Sequence, residues 1–280
     1  MELLERSFYL LLFIFLVVAN CTGQKNDDEV LFKLSSEKAI ANWKITIVYD
    51  NYGFDPNLKT AWGFSCLFET DGLNLLFDTG GDSTILLHNL EKLHIDVGKI
   101  DAIFLSHVHY DHIGGLYALL KRNPHVSLHI PSTFPQEVKD EMRRKSSNCI
   151  EYTAAARLFD NIFTTGPLEG RVSEQSLVVN IKQGLFVITG CAHPGIAKIV
   201  TAAVKTHQRT PGIVIGGFHL KDSDEHQIKQ ILETFKESKV TFAGPSHCSG
   251  DIARKLFKEQ YADYFLELGV GRSFSEEIFR

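Results

Sequence analysis

The chain has 280 residues, of which 44% are hydrophobic and 22% are charged, and its formal net charge is −5. A chain of this length and composition can bury one large core, and α/β domains often reach this size. The negative net charge, with no Lys/Arg cluster in the sequence, argues against a nucleic-acid partner.

The N-terminal segment is more apolar than the rest of the chain. Residues 8–19 form an unbroken apolar stretch, which is shorter than the roughly 20 residues that span a bilayer and is typical of a signal peptide. We predict a signal peptide over residues 1–20, with Cys21 resembling the acylated N-terminus of a bacterial lipoprotein. The alternative is an uncleaved anchor. Both interpretations place the protein in the bacterial cell envelope, attached to the membrane.

Residues 21–42 are predicted to form a polar tether, and residues 43–280 a single folded domain. Apolar runs predict five strands in the first half of this domain, and amphipathic or charged runs predict three helices. The predicted strands are Trp43–Tyr49, Phe64–Glu69, Leu73–Phe77, Ile100–Leu105 and Val126–Ile130, and the predicted helices are Thr84–Leu93, Gly115–Arg122 and Pro135–Lys145. Residues 149–171 are predicted to be irregular, either as a loop over a site or as a plain connection.

The second half is predicted to repeat one unit. A hairpin turn at residues 182–184 joins two apolar runs, and helices are predicted from Pro194 and from Asp222, where Glu225 would complete a capping box. The predicted strands are Val178–Ile181, Leu185–Thr189, Thr210–Ile215 and Val240–Ala243. A strand, a turn with a histidine and a helix thus occur three times. The histidines at these turns are His193, His219 and His247, and the repetition predicts that they share one site.

The most informative segment is residues 106–112, which carries four metal-competent side chains. Strand alternation places His107 and His109 on the same side, and the glycines that follow predict a turn that brings Asp111 and His112 to a second position. One loop can therefore serve two neighbouring cations. The alternative is a histidine-rich surface loop.

These residues also carry a resemblance to a known family. The pattern His-x-His-x-Asp-His after an apolar strand resembles the signature of the metallo-β-lactamase superfamily, and residues 75–80 resemble its first motif, whose aspartate, here Asp78, orients the metal loop. Further motifs, at Asp50-Asn51 and at residues 63–65, 190–195, 216–220 and 245–250, resemble the branch of dihydropterin-type aminobenzene ribofuranosyl phosphate synthases. The resemblance implies an α/β fold, a four-layer αββα sandwich of two mixed sheets packed face to face with helices outside.

Chemistry and resemblance together assign two groups of metal ligands. Three imidazoles leave a fourth position open for water on the first metal, and a carboxylate with two imidazoles serves the second. The first group is His107, His109 and His193, and the second is Asp111, His112 and His247. We expect one or two divalent metals, with zinc favoured and iron or manganese as alternatives.

The sequence departs from the superfamily in one respect. The superfamily has a bridging aspartate at the end of the strand that here leads to His219, yet residues 216–220 contain no acid. Either the second metal binds more weakly, or the site stays electropositive and prefers an anionic substrate. His219 then either binds a metal or contacts the substrate.

The remaining candidates surround this centre. Asp111 and His219 are the predicted catalytic residues, with a metal-bound hydroxide as the nucleophile. Asp50 and Asn51 either contact the metals or substrate or form a turn. Cys191 and Cys248 each neighbour a candidate ligand histidine and could lie near the site, but such thiols are more often small buried hydrophobes than ligands, and we leave them outside the metal shell.

Three functions follow from these expectations. The first is a metal-dependent hydrolase of a small anionic ester, a phosphoester or a lactone. The second is a transferase of the type that the branch implies. The third is a non-catalytic envelope lipoprotein that binds a metal or a ligand.

Overall fold

The computed structural model describes residues 31–280. The predicted signal peptide and Cys21 lie outside the described residues. Residues 31–42, which belong to the predicted tether, contact the domain: the ring of Phe32 lies 5.4 Å from that of His207, and Ile40 pairs with Ile181. Within residues 31–280, no helix is both long enough and apolar enough to cross a membrane.

Thirteen strands and seven α-helices lie within the described residues. The strands are β1 (Trp43–Tyr49), β2 (Ser65–Thr70), β3 (Leu73–Phe77), β4 (Ala102–Phe104), β5 (Ser127–Pro131), β6 (Asn148–Tyr152), β7 (Ala156–Phe159), β8 (Ile162–Thr164), β9 (Leu177–Ile181), β10 (Gly184–Thr189), β11 (Pro211–Gly217), β12 (Phe242–Ser246) and β13 (Ser273–Ser275). The helices are α1 (Ser83–Lys92), α2 (Tyr110–Ile113), α3 (Leu116–Arg122), α4 (Gln136–Lys145), α5 (Ile196–His207), α6 (Glu225–Glu237) and α7 (Asp251–Tyr261).

The strands form two mixed sheets. The first has the order β13-β1-β2-β3-β4-β5-β6, and the second has the order β12-β11-β10-β9-β8-β7. Parallel pairing runs from β3 to β6 in the first sheet and from β10 to β12 in the second. The carboxyl ends of these parallel strands are where open α/β sheets usually hold their ligands.

The core lies between the two sheets. Phe68, Phe77 and Phe104 from the first sheet pack against Phe186 and Ile215 from the second, and all five are fully buried. Helices α1, α3 and α4 cover the outer face of the first sheet through a second apolar cluster, and α5, α6 and α7 cover the second sheet through a third. The predicted four-layer αββα architecture is confirmed.

The prediction that residues 149–171 are irregular was wrong. They contribute most of β6 and all of β7 and β8, of which β6 pairs with β5 and the β7–β8 hairpin extends the second sheet through β9. These strands are three to five residues long and contain few consecutive apolar residues. Their stability comes from pairing with the edge of an existing sheet, and this pairing cannot be recognised from the local sequence pattern.

Several predicted boundaries were also wrong. Helix α5 begins at Ile196 rather than at Pro194, because Gly195, with φ 96°, still lies outside the helix. The capping box of α6 is Asp224 with Gln227, since Asp224 Oδ1 accepts from Gln227 N (2.8 Å) and Gln227 Oε1 accepts from Asp224 N (3.1 Å). Strand β12 continues to residue 246, past the predicted end at residue 243.

Candidate metal centre

The predicted ligands converge at one edge of the sandwich. They follow the carboxyl ends of β4, β10 and β12, and His219 follows β11. At three of these corners a residue other than glycine has a positive φ: Ala192 (60°), His219 (55°) and His247 (49°). Backbone strain of this kind persists only where the surrounding structure holds it, and it is common at functional sites.

The first donor group is made of three imidazoles. His109 Nδ1 lies 3.1 Å from His107 Nε2 and 3.2 Å from His193 Nε2. Two nitrogens bound to one zinc ion at about 2.05 Å in tetrahedral geometry lie about 3.3 Å apart. The three imidazoles are therefore spaced as the ligands of one ion would be.

The second donor group combines a carboxylate, two imidazoles and a thiol. Asp111 Oδ2 lies 3.6 Å from His112 Nε2 and 3.3 Å from His247 Nε2, and Cys191 Sγ lies 3.2 Å from His112 Nε2. All four side chains are buried. His247 Nε2 is buried and, apart from the Asp111 carboxylate 3.3 Å away, has no polar partner that meets hydrogen-bond geometry among residues 31–280. A buried nitrogen so weakly satisfied is suited to binding a metal.

Asp78 fixes the histidines of the loop from behind. Its Oδ1 accepts from Ser106 N (2.7 Å), and its Oδ2 lies 2.7 Å from both Ser106 Oγ and His112 Nδ1. Because the Ser106 hydroxyl donates to the carboxylate, it accepts from His107 Nδ1 at 2.9 Å. Both rings thus carry hydrogen on Nδ1 and turn Nε2 toward the donor groups, as the partners behind metal-bound histidines usually do.

Glu174 holds the turn after β10. Its Oε1 accepts from the backbone N–H groups of residues 190, 191 and 192 at 3.0 Å each, and its Oε2 accepts from His193 N at 2.9 Å. Burial raises the pKa of the Glu174 carboxyl to about 6, while the N–H groups of residues 191, 192 and 193 act in the opposite direction. This carboxylate therefore positions both Cys191 and His193.

Asn51 and Asp50 position His247, the last of the predicted ligands. Asn51 Oδ1 accepts from His247 Nδ1 (3.0 Å), and Asn51 Nδ2 donates to His247 O (3.3 Å), so Nε2 of this ring is free for a metal. Asp50 accepts from the Ser246 hydroxyl and from Tyr52 N. Asp50 therefore forms the predicted turn through its contact with Tyr52 N, and it also holds the end of β12 through its contact with Ser246.

The charges of the cluster follow from its burial. Burial lowers the pKa of His107, His109 and His193, for His193 to about 3, so these rings are neutral and able to bind a metal. For His112, burial acts in the same direction, but the Asp78 carboxylate outweighs it and raises the pKa to about 9. For Asp111, burial would raise the pKa, but His247 and His112 hold it well below its ordinary value.

A cationic pocket opens over the centre. Two adjoining cavities of about 420 and 490 Å³ share Trp62, Arg171, His219 and Cys248 as lining residues. The Lys221 ammonium lies 5.2 Å from the centre of the Trp62 ring, and that ring lies 4.7 Å from the ring of His247. His219 is exposed, and its ring lies 4.4 Å from that of His193. The structure thus places His219 between the first donor group and the pocket.

Sequence reasoning missed several of these residues. Two of them could have been identified as site residues from the sequence: Ser106 directly precedes the histidine loop, and Cys191 lies two residues before His193. No sequence pattern identifies Glu174 or Arg171 as a site residue. They come from a stretch without an apolar pattern and reach the site only through the pairing of the second sheet.

Comparisons with known proteins identify the family. The sequence profile of the metallo-β-lactamase superfamily matches residues 63–202, which is half of the chain. A 7,8-dihydropterin-6-methyl-4-(β-D-ribofuranosyl)-aminobenzene-5′-phosphate synthase of Methanocaldococcus jannaschii is 28% identical over 287 aligned positions, covering 83% of this chain and 96% of that protein.

Solved structures show the same fold. Tm1679, a metal-dependent hydrolase of the β-lactamase superfamily, is similar with a TM-score of 0.71 and 27% identity, over 83% of this chain and 98% of that chain. The metallo-β-lactamase fold protein YhfI of Bacillus subtilis is similar with a TM-score of 0.63 and 15% identity, over 84% of this chain and 99% of that chain.

Proposed function

The chain belongs to the metallo-β-lactamase superfamily, and from this membership we propose that it is a metal-dependent hydrolase of a small anionic ester, a phosphoester or a lactone. The observation that carries the proposal is the position of the two donor groups directly beneath a pocket that contains Arg171 and Lys221. A divalent metal, when bound, supplies Lewis acidity that lowers the pKa of water and polarises an ester group.

The residues of the chain divide the remaining work. His107, His109 and His193 hold the first metal, and Asp111 with His112 and His247 holds the second. Zinc suits these nitrogen and oxygen donors, with iron as an alternative. His219 faces the pocket from a strained corner and contacts the substrate or carries a proton there.

Arg171 and Lys221 select the anion in this proposal. Both line the same cavity, where they outnumber the one acidic lining residue, Asp222. Trp62 lies beside Lys221 as a flat surface on which a ring can stack. A cationic rim next to divalent metals raises the local concentration of phosphate or carboxylate substrates.

A panel of phosphoesters, lactones and neutral carboxylic esters tests the hydrolase. We expect hydrolysis that chelation abolishes and zinc restores. Arg171→Met should raise KM for an anionic ester about 10- to 100-fold, the effect of losing one charged hydrogen bond, with little change for a neutral ester. Arg157→Met, which changes an exposed arginine on β7, is the matched control. Failure of the metal-loaded protein to cleave any ester would contradict the proposal.

The synthase of M. jannaschii favours a second candidate, a transferase that joins a ribofuranosyl aminobenzene phosphate to a dihydropterin. Its aromatic and anionic substrate parts would suit Trp62 and Arg171. The two candidates differ in stoichiometry. A hydrolase releases product from one organic substrate, whereas a transferase consumes two and makes nothing from either alone.

We also propose that the protein is attached to the cell envelope through an acylated Cys21, which would limit its substrates to those outside the cytoplasm. Expression with labelled palmitate and membrane fractionation test this. We expect label in the membrane-bound protein and none in Cys21→Ser. A wild-type protein without label would contradict the lipid anchor.

A further inference from the structure

We infer that the Cys191 thiolate is a ligand of the second metal, so that sulfur takes the place of the carboxylate missing from the end of β11. The inference rests on the metal centre of the proposed function and defines it further. From the sequence alone, Cys191 is expected near the site but outside the metal shell.

The position of the sulfur is the first observation. Cys191 Sγ lies 3.2 Å from His112 Nε2, and the donor atoms of Asp111, His112, Cys191 and His247 all lie within 4.8 Å of one another. A nitrogen at about 2.05 Å and a sulfur at about 2.3 Å from one tetrahedral zinc ion lie about 3.5 Å apart. His247 Nε2, whose contact with Asp111 does not meet hydrogen-bond geometry, belongs to the same group.

The backbone explains how the thiol reaches this group. In an extended chain Cys191 and His193 would point to the same side, since they are two residues apart. The positive φ of Ala192 turns the chain between them, so the imidazole joins the first donor group and the thiol joins the second. The N–H groups of all three residues are held by Glu174, which makes the turn a fixed feature.

The end of β11 explains why the ligand does not come from that strand. A Cβ on Gly217 would lie 2.3 Å from Gly190 O, 2.7 Å from Cys248 Sγ and 3.1 Å from Cys191 Cα. No side chain fits at this position because the turn after β10 is packed against it. The turn that fills this space carries Cys191, whose sulfur lies in the second donor group. As a thiolate it supplies the negative charge that a bridging aspartate would have supplied.

A sulfur ligand also predicts metal preference. Thiolates favour zinc and other soft or borderline metals over manganese and magnesium, which prefer oxygen. The second position should therefore retain zinc when manganese is offered in excess, although its carboxylate alone would tolerate either metal.

The test is the spectrum of the cobalt-substituted protein and the X-ray absorption of the zinc protein. We expect an intense sulfur-to-cobalt charge-transfer band in the wild type and in Cys149→Ser, whose thiol lies on β6 outside the site, and loss of the band in Cys191→Ser. The zinc protein should show a sulfur neighbour at about 2.3 Å beside nitrogen or oxygen at about 2.0–2.1 Å. The absorption of the wild type shows whether any sulfur binds the metal, and the absorption of Cys248→Ser, which should keep the sulfur neighbour, assigns it to Cys191 even where Cys191→Ser folds poorly.

Other outcomes separate the claims. A bound metal with nitrogen and oxygen neighbours alone overturns the thiolate ligand and leaves the hydrolase proposal standing. A band that survives in Cys191→Ser and disappears in Cys248→Ser also overturns it, because the sulfur would then come from the group of Cys191, His219 and Cys248. A chain that binds no metal overturns the proposed function itself.

Discussion

His112 Nδ1 lies 2.7 Å from Asp78 Oδ2, and this contact determines which nitrogen of His112 faces the metal centre. A carboxylate only accepts, so His112 donates its Nδ1–H to Asp78 and turns Nε2 toward the donor group, where a bound metal would displace the proton that this nitrogen otherwise carries. The same carboxylate accepts two bonds from Ser106, which in turn orients His107. One aspartate therefore orients a ligand in each donor group.

Asp78→Asn should weaken metal binding at both positions. The amide supplies one acceptor oxygen where the structure uses two, so at least one of the bonds from Ser106 or His112 is lost. Loss of such supporting bonds typically costs 10- to 100-fold in metal affinity. Competition with a chelator measures the affinities, and Asp101→Asn, at the other end of β4, is the control. Unchanged affinity in Asp78→Asn would refute the orienting role.

Asn51→Ala should affect the second metal alone. It removes the acceptor of His247 Nδ1 and the donor to His247 O, so the ring is free to turn away. We expect the second metal to bind about 10- to 100-fold more weakly, with the first unchanged. Titration with zinc gives both affinities. The control is Asn57→Ala, which changes an exposed asparagine that contacts Asp55 and should leave both zinc affinities as in the wild type. An equal loss of zinc affinity in the two variants would contradict a specific role of Asn51 in orienting His247.

Gly190→Ala should damage the centre by crowding. A Cβ at this position would lie 2.1 Å from Ser106 Oγ and 3.0 Å from Asp78 Oδ2, so the support of the histidine loop must move. We expect a loss of about 1–3 kcal/mol in the free energy of unfolding and weaker metal binding. Gly72→Ala is the matched control, because no atom lies within 4 Å of its added Cβ. Chemical denaturation measures the free energy of unfolding of both variants. A loss of the same size in Gly72→Ala would contradict a crowding effect specific to position 190.

His129 should make the stability of the domain depend on pH. Burial lowers its pKa from 6.5 to about 4, and its nitrogens contact Tyr152 Oη and Ser127 Oγ. Between these values the unfolded chain binds more protons than the folded one, so stability is complete above pH 6.5 and falls as the pH is lowered toward 4. From pH 7 to pH 5 this residue alone should remove about 2 kcal/mol.

Denaturation of His129→Gln measures that contribution. The variant should lose less stability than the wild type over the same pH interval, with chelator present so that metal release does not contribute. An identical pH dependence in the two proteins would show that His129 does not titrate as its burial requires.

Much of the fold could be predicted from the sequence because its central strands are continuous apolar runs. Strands β4 and β10 are buried on both faces, and a strand buried in this way is apolar along nearly its whole length, which makes it recognisable in the sequence. Strands β6 to β8 carry little signal, because they form only by pairing with neighbours far along the chain.

The same distinction holds for the site. The histidines were predicted because their spacing follows strand ends, which are local features. Glu174 was missed because its four hydrogen bonds go to residues 16 to 19 positions away, in another strand's turn. Cys191 is left out of the metal shell at the level of sequence because a thiol beside a ligand histidine gives the same sequence pattern whether it packs in the core or binds a metal.

Metal content per chain, determined by elemental analysis of the wild type, His109→Ala and His247→Ala, tests the central claim of a two-metal centre most directly. The structure predicts about two equivalents of zinc in the wild type and about one in His247→Ala, with the first position lost in His109→Ala. One equivalent in the wild type that His247→Ala leaves unchanged would contradict the second site, and a wild type without bound metal would contradict the centre as a whole.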